Sequence, residues 1–597
     1  MGFVTAWGLL PIALPLSCVT MLGLGALAFP HDSVPFGERL LGGMLLTLAT
    51  VAVGVRVLGA AGVLTTAVVI GAELIVTANV VVAVRSRGLK MWPRRWPVSL
   101  STLPVLGVAA CALVVVTLAA YLLPVWQWDA LGYHLPYVNF ALQRGTFADI
   151  PVDVAYVSTY PHVVENVFIA WRALIPDDRL VELANLPFGL LGAMAVGVIA
   201  YRQGARASTT VAVGAVWLTL PAVFLQLPTN YVDVASAALL LTAIAFVLGS
   251  VDCTRVLLAA IALGMFLGSK PSAPLAAVLV FAALAVAAWR SGLRGTIGIA
   301  AVVVLLLGGE SYLTNLVRQG NPVWPVRIDL GPIHLPGRFP MSDLLASGAG
   351  APRAQGSLAT RVFDSWTTMW PAVPAFDMRV GGLGVLILVA LPFALIRVVR
   401  QRSVVLVLVF VATLATPDPA VARYVLAFAG LVLAFAVPTI DRPRVGKFVR
   451  ASALVLVALG AAHNVYVAYP GLTGEGPPLR AYVDMSDYER RRAVGADGVP
   501  TPFLDAVAHV GPGEIAVFDE RAYLPYLAWP PDLSRDAVRI PDDATAEEAD
   551  RLVHADDVRL LIVGDDTVAG SVVRRDPARF IRLFECKSST CAVYLRR

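Results

Sequence analysis

The chain has 597 residues, of which 58% are hydrophobic and only 15% are charged, and its formal net charge is +5. Soluble domains carry roughly 25% charged residues, so this composition excludes an ordinary soluble enzyme and indicates a polytopic membrane protein. The basic residues cluster in short loops between apolar segments, a pattern that indicates membrane topology rather than nucleic-acid binding. We therefore expect a lipid bilayer, and no nucleic acid, among the partners.

Apolar stretches of about 20 residues recur along the chain, and a helix of this length spans a bilayer. We predict about 14 such helices, and we expect the first to be retained because no basic segment precedes it. The predicted spans are residues 5–29, 39–58, 62–84, 99–124, 181–201, 208–227, 232–250, 254–269, 272–289, 295–315, 381–398, 403–416, 420–438 and 448–468.

The short loops between these spans form two sets that differ in charge. One set contains the basic residues at 85–97, 202–206, 255, 290–294, 397–402 and 442–450, whereas the short loops of the other set contain Lys270 alone. The positive-inside rule makes the first set cytoplasmic. The loops 125–180 and 316–380, and the chain after residue 468, are therefore predicted to be extracytoplasmic, on the outer face of the plasma (inner) membrane.

The pattern predicts three parts: N-terminal extra spans (1–98), a membrane module with two long outer loops (99–468) and an extracytoplasmic α/β domain (469–597). In the last part, "EIAVFDE" and "RLLIVGD" predict short buried strands, and "ATAEEADRLVHA" predicts a helix that starts at a threonine cap. The chain ends in a predicted hairpin. Cys586 and Cys591 flank its "KSST" turn, where an oxidising compartment permits a disulfide.

The segment "VWQWDALGYHLP" follows the span 99–124 and places Asp129 and His134 among Trp126, Trp128 and Tyr133. An outward-facing aspartate at the membrane surface can act as a general base on a substrate hydroxyl. The alternative is that Asp129 caps a short helix and that the aromatic residues form an interfacial belt.

Further polar candidates follow on the same predicted face. In the first outer loop, "YPHVVENVF" adds Glu165 as a second catalytic candidate and Tyr160 and His162 as substrate-binding candidates, although Glu165 alone is also typical of a solvated helix charge. Asp233 lies at the mouth of the seventh predicted span, and an acid at that position is a functional candidate. The alternative is that Asp233 only pairs with an arginine. Ammonium and guanidinium groups at the interface suit a lipid phosphate or simple snorkelling. The remaining candidates are Asp233, Lys270 in "GSKPSAP", Arg318 and Asn321 in "RQGNPVWP", and Arg423.

An Asp-bearing first outer loop, a Lys-Pro turn, a "GNPVWP" turn and a late "RY" occur here in the order seen in the GT-C superfamily of glycosyltransferases. "WDALGYHLP" followed by "YP…E" resembles the bacterial branch related to protein mannosyltransferases and the lipid A aminoarabinose transferase. The resemblance covers roughly residues 100–430. It implies a GT-C-like fold in which Asp129 is the base and Glu165 and His134 line the donor or acceptor pocket. Lys270, Arg318 and Arg423 would hold the lipid phosphate.

Two features depart from the superfamily pattern. Three spans precede the span that is normally first, and Asp129 stands alone where relatives have Asp-Asp or Asp-x-Asp. The isolated acid gives no clear ligand set for a divalent metal, although His134 could be one ligand. No cofactor is therefore predicted with certainty.

The predicted function is an inverting hexosyl- or pentosyltransferase of the cell envelope. It would move a sugar from a polyprenyl-phosphate donor to a glycan, lipid or protein acceptor outside the membrane. One carboxylate and a set of cations suffice for single displacement with inversion. The alternatives are a transporter or flippase of envelope precursors, and a ligase or polymerase of lipid-linked glycans.

Overall fold

In a computed structural model, the chain forms a helical bundle with a small sheet domain near its C-terminus. The structure describes residues 3–31, 33–92, 98–148, 150, 155–340, 356–369, 380–441, 445–474, 476–494, 507, 510–511, 513–519, 521–522, 524–585 and 591–597.

The first half of the bundle runs from the N-terminus to the second long loop, which follows α15. Its helices are α1 (Leu10–Ala28), α2 (Phe36–Ala60), α3 (Thr66–Ser86), α4 (Leu103–Leu122), α5 (Leu135–Arg144), α6 (Ala155–Thr159), α7 (Val163–Leu174), α8 (Leu186–Arg202), α9 (Ala207–Leu218), α10 (Pro221–Gln226), α11 (Asp233–Val247), α12 (Cys253–Leu267), α13 (Ala273–Arg290), α14 (Arg294–Gly308) and α15 (Glu310–Gln319).

The second long loop, after α15, contains the short strands β1 (Val326–Leu330), β2 (Ile333–Leu335) and β3 (Phe339–Pro340), which pair in the order β2-β1-β3. The helices that follow in the chain are α16 (Leu358–Thr367), α17 (Val385–Gln401), α18 (Val404–Leu414), α19 (Leu426–Ala436), α20 (Lys447–Ala468) and α21 (Asp487–Ala493).

Within the described residues, 8 helices are long and apolar enough to cross a membrane, or 9 if the bent pair α14–α15 counts as one span. The predicted number of about 14 spans is not confirmed, because several predicted spans are short helices. The segments 208–227 and 403–416, for example, form α9 with 12 residues and α18 with 11 residues. Pro221 explains the first case, since proline starts the separate helix α10 and cannot continue α9.

An ion-pair cluster joins three helix ends at one end of the bundle. Glu38, near the start of α2, accepts hydrogen bonds from Arg202 at the end of α8 (2.6 Å) and from Arg255 in the first turn of α12 (2.5 Å). The sequence places Arg202 and Arg255 in the same set of basic loops, and their contacts agree with that grouping. The opposite end of the bundle carries Asp129, and we call it the Asp129 end.

The C-terminal domain is a five-stranded sheet in the order β5-β4-β6-β8-β7. The strands β5, β4 and β6 are parallel, and β8 and β7 form an antiparallel hairpin. Its elements are β4 (Ile515–Phe518), β5 (Ala537–Arg539), α22 (Ala546–Val553), β6 (Val558–Gly564), α23 (Val568–Arg575), β7 (Phe580–Glu585) and β8 (Cys591–Arg596). The predicted small α/β domain is therefore confirmed. Cys586 lies outside the described residues, so the disulfide with Cys591 stays a prediction.

The C-terminal domain packs against α5, in the long loop between α4 and α8. The side-chain amide of Gln143 contacts both the backbone N–H and the carbonyl of Ala537, each at 3.3 Å, on the edge strand β5. The indole N–H of Trp529 donates to the same amide oxygen at 2.7 Å, and Phe140 packs edge-to-face on Trp529. These contacts fix one end of the helix whose other end leads to Asp129.

Candidate active site

Four charged side chains from distant parts of the sequence meet at the Asp129 end of the bundle. Arg423 Nη1 lies 3.0 Å from Asp233 Oδ2 and 3.5 Å from Asp129 Oδ2. Lys270 Nζ donates to the other carboxylate oxygen of Asp233. The sequence predicted each of these residues separately, and the fold brings all four together. We call them the charge cluster.

The backbone explains why these side chains can meet. Asp233 is the first residue of α11, Lys270 lies in the turn between α12 and α13, and Arg423 lies in the 3₁₀ turn Ala422–Val425 before α19. An acid in the first turn of a helix is favoured by the helix dipole. Asp129 directly precedes a π-helical turn, Ala130–His134, and π-helical turns are frequent at functional sites.

Two tyrosines that the sequence analysis missed surround the cations of the charge cluster. The Tyr231 hydroxyl accepts the backbone N–H of Asp129 at 3.1 Å, and the guanidinium of Arg423 lies 5.2 Å from the centre of the Tyr231 ring. The Tyr424 ring lies 4.1 Å from Lys270 Nζ, and its hydroxyl accepts from Arg423 at 3.1 Å. Both tyrosines are sequence neighbours of the predicted ions, in "NYVD" and "ARYV", which is the signal that could have identified them.

The two acids of the charge cluster differ in solvent exposure. The Asp129 side chain is 32% exposed, whereas that of Asp233 is 4% exposed and enclosed by its two cationic partners. Lys270 is 23% exposed, so one of the two cations is also accessible. The charge cluster therefore presents one partly exposed carboxylate, Asp129, and one partly exposed ammonium, Lys270. The formal charges of its two acids and two bases cancel.

A second polar group lies between the π-helical turn and α7. His134 Nδ1 lies 2.6 Å from Glu165 Oε1, and His162 Nδ1 lies 3.6 Å from the same oxygen. Burial raises the pKa of Glu165, but hydrogen bonds from His134 and His162 outweigh burial and lower the pKa from 4.5 to about 2. Glu165 is therefore ionised at neutral pH.

Glu165 is buried, whereas a catalytic carboxylate must be accessible to the substrate. Its side chain is only 1% exposed, and one carboxylate oxygen is held by the imidazole of His134. A carboxylate that is buried in this way cannot reach an acceptor hydroxyl. The geometry instead supports a positioning role, because Glu165 holds His134 at the end of the turn that begins after Asp129.

The remaining aromatic candidates connect this group to the opening of the site. The Tyr133 and Tyr160 rings meet edge-to-face with their centres 5.6 Å apart, and Tyr133 also packs on the His134 ring. The His134 and Tyr231 ring centres lie 6.3 Å apart. Tyr231 thus lies between the charge cluster and His134, and it connects the largely buried His134–Glu165 pair to Asp129.

Arg318 and Asn321 do not join the charge cluster. Arg318 is exposed at the end of α15 and contacts none of the four ions in the described part of the chain. Asn321 is fully buried: its amide N–H groups donate to the carbonyls of Val326 and Pro336, both at 2.7 Å, and its oxygen accepts from Val323 N. The substrate-binding role predicted for Asn321 is therefore not supported, because the turn itself uses its polar atoms.

No metal centre is evident in the described residues, where no three His, Cys, Asp or Glu side chains are arranged to hold a metal ion. Glu165 hydrogen-bonds His134 at 2.6 Å and lies 3.6 Å from His162 Nδ1, which accounts for the proximity of these three side chains.

Comparison with solved structures finds similar chains of one superfamily. ArnT from Cupriavidus metallidurans in the apo state is 14% identical with a TM-score of 0.49, covering 83% of this chain and 98% of that chain. ArnT bound to undecaprenyl phosphate gives 14% identity, a TM-score of 0.48 and coverage of 82% and 97%.

An oligosaccharyltransferase from Archaeoglobus fulgidus in the apo form is 13% identical with a TM-score of 0.38, covering 77% of this chain and 69% of that chain. ArnT and this oligosaccharyltransferase are GT-C glycosyltransferases. No protein-family model matches the chain, and no curated protein matches its sequence.

Proposed function

We propose that this protein is an inverting glycosyltransferase that uses a polyprenyl-phosphate-linked sugar as donor. Its acceptor would be a glycan, lipid or protein of the cell envelope, at the outer face of the plasma membrane. The observation that carries the proposal is the charge cluster, in which the half-exposed Asp129 lies within 3.5 Å of the cation Arg423 at the end of a membrane bundle.

Asp129 is the proposed general base. Its carboxylate accepts the proton of the acceptor hydroxyl while the hydroxyl oxygen attacks the anomeric carbon of the sugar. The bond between that carbon and the phosphate oxygen breaks with its electron pair on the phosphate. One carboxylate opposite one leaving group gives a single displacement, so the anomeric configuration inverts.

Lys270 and Arg423 are the proposed ligands of the donor phosphate. As the glycosidic bond breaks, the phosphate gains one negative charge and Asp129 loses one on protonation. The Nη1 atom of Arg423 lies near both Asp129 and Asp233. When Asp129 loses its charge, the attraction between Arg423 and the phosphate therefore increases. Fixed cations aimed at the oxygen where charge develops stabilise such a transition state.

Asp233 and the two tyrosines would then hold the cations in place. Asp233 pairs with both Lys270 and Arg423, and the rings of Tyr231 and Tyr424 face the same cations. Cations over aromatic faces are stabilised by the ring quadrupole. This arrangement supports a preformed phosphate site in which Asp233 limits the positive charge before the donor arrives.

The proposal is tested with purified protein in lipid nanodiscs and a panel of polyprenyl-phosphate-linked hexoses and pentoses. A radiolabelled donor is incubated with envelope fractions, and the linkage of the product is determined by NMR. We expect transfer from at least one monophosphate-linked sugar, with inversion. Transfer only from a diphosphate-linked glycan would indicate a ligase or polymerase, and translocation without transfer would indicate a flippase.

A further inference from the structure

The helix α15 leaves the direction of the span before it. The helices α14 and α15 together are long and apolar enough for one span, but their axes differ by 68°. Gly309 separates the two helices. A chain that crosses the bilayer along α14 therefore turns away from the membrane normal as it enters α15.

The two faces of α15 differ in polarity. Leu313, Leu316 and Val317 are 63%, 48% and 77% exposed. Their i, i+3, i+4 spacing puts them on one side of the helix. They follow the exposed apolar residues Val302, Leu305 and Leu306 of α14, so the outward apolar surface of the bundle extends into α15.

The opposite face of α15 holds the turn that carries Lys270. The Tyr312 hydroxyl shares its proton between the carbonyl oxygens of Lys270 (2.9 Å) and Leu267 (3.0 Å). Leu267 is the last residue of α12, so its carbonyl has no partner within the helix and gains one from Tyr312. One turn along, Asn315 donates to the Thr159 carbonyl at 2.9 Å, next to Tyr160.

We propose that α15 lies in the plane of the outer leaflet and fixes the Lys270 turn at the membrane surface through Tyr312. In-plane amphipathic helices insert their apolar face about 5–10 Å into the boundary between headgroups and acyl chains. The partner of this surface is the bilayer itself. Because Tyr312 and Leu313 are adjacent in the helix, insertion of the apolar face sets the depth of Lys270. The consequence for donor binding rests on the proposed function, whereas the insertion does not.

Insertion is tested by fluorescence quenching from within the bilayer. In a chain with all five cysteines replaced by alanine, Leu313→Cys and Val317→Cys are labelled with bimane in phosphatidylcholine vesicles. We expect equal quenching of both labels by lipids brominated close to the headgroup. Val302→Cys in α14 is the control within a span, and Val483→Cys is the control in water. Labels that resist quenching, or that differ strongly in depth, would overturn the in-plane placement.

The coupling to Lys270 is tested with polyprenyl phosphate as the probe, in nanodiscs of phosphatidylcholine. Loss of one neutral hydrogen-bonding group typically weakens an interaction roughly 2- to 10-fold, so Tyr312→Phe should weaken binding of the probe by that factor. The matched control Tyr201→Phe, on an exposed tyrosine at the end of α8, should bind normally.

The two proposals fail in different ways. If α15 is in the plane but Lys270→Met binds polyprenyl phosphate as tightly as the wild type, the phosphate site is wrong and the membrane placement stands. If Lys270→Met weakens binding but Tyr312→Phe does not, the phosphate site stands and the coupling through α15 is wrong.

Discussion

Arg423 Nη1 lies 3.5 Å from Asp129 Oδ2, so the proposed base and a proposed phosphate ligand are in electrostatic contact before any substrate binds. The same nitrogen is 3.0 Å from Asp233. Protonation of Asp129 removes one of the two negative charges that attract this guanidinium. In the proposed mechanism, transfer of the acceptor proton to Asp129 would therefore strengthen the attraction between Arg423 and the leaving phosphate as that phosphate gains charge.

The first prediction concerns the base. Asp129→Asn keeps the size and hydrogen-bonding shape of the side chain but cannot accept a proton at neutral pH. Loss of a general base typically costs about 10²–10⁴-fold in rate, so transfer should slow at least ~100-fold. Binding of polyprenyl phosphate should persist, as measured in nanodiscs. Asp550→Asn, on an exposed residue of α22, is the matched control. A rate near that of the wild type would leave Asp129 as a structural residue.

The second prediction concerns the cations. Removing a charged hydrogen-bond partner typically costs ~1.5–3 kcal/mol, so Lys270→Met and Arg423→Gln should each weaken donor use roughly 10- to 150-fold. The effect should appear in the binding of polyprenyl phosphate as well as in turnover. Arg290→Gln, on an exposed residue at the opposite end of the bundle, serves as the control. Unchanged binding in both cation variants would contradict the phosphate site.

The third prediction concerns Asp233, which is buried between Lys270 and Arg423. Asp233→Asn leaves two cations close together without their shared acid, and breaking a buried ion pair typically costs about 3–5 kcal/mol. The melting temperature in detergent should therefore fall. Polyprenyl phosphate should raise it more in the variant than in the wild type, because the phosphate replaces the missing negative charge. Equal shifts in both proteins would argue against a phosphate at this position.

The sequence predicted the four ions of the charge cluster because each stands at the end of an apolar run, where a charge is conspicuous. It gave pairing with an arginine as the alternative for Asp233, and the structure shows such a pair. It could not identify Arg423 as the partner, since the two residues are 190 positions apart and their contact depends on how the helices pack. Tyr231 and Tyr424 were missed because a tyrosine at a span end is typical of an interfacial belt.

The errors also have physical causes. The role predicted for Asn321 is not supported, because its amide donates to carbonyls of its own loop, which a sequence pattern does not show. Several spans were predicted too long because hydropathy does not register helix breaks such as the one at Pro221. The C-terminal domain was predicted correctly because its strands and its threonine-capped helix are encoded locally.

The fourth prediction concerns topology and follows from the uneven distribution of basic residues between the loops. In a cysteine-free background, His334→Cys in the second outer loop and Val483→Cys should react with a membrane-impermeant maleimide in intact cells. Ser291→Cys, between α13 and α14, should react only after permeabilisation. Reaction of Ser291→Cys in intact cells, with protection of the other two, would reverse the orientation and place the charge cluster in the cytoplasm.

The fifth prediction concerns Glu165 and acid stability. Although burial raises the pKa of this carboxyl, His134 and His162 lower it from 4.5 to about 2 in the folded protein. A carboxyl with a lowered pKa stabilises the fold above its unfolded pKa, and this contribution is lost as pH falls through the folded value. The wild type should therefore lose thermal stability relative to Glu165→Gln between pH values of about 4.5 and 2.

At neutral pH, Glu165→Gln should melt at a lower temperature and transfer sugar more slowly, with unchanged binding of polyprenyl phosphate. Melting curves of both proteins at neutral pH and near pH 3 measure this difference. A constant difference in melting temperature across that range would mean that the two histidines do not hold Glu165 ionised.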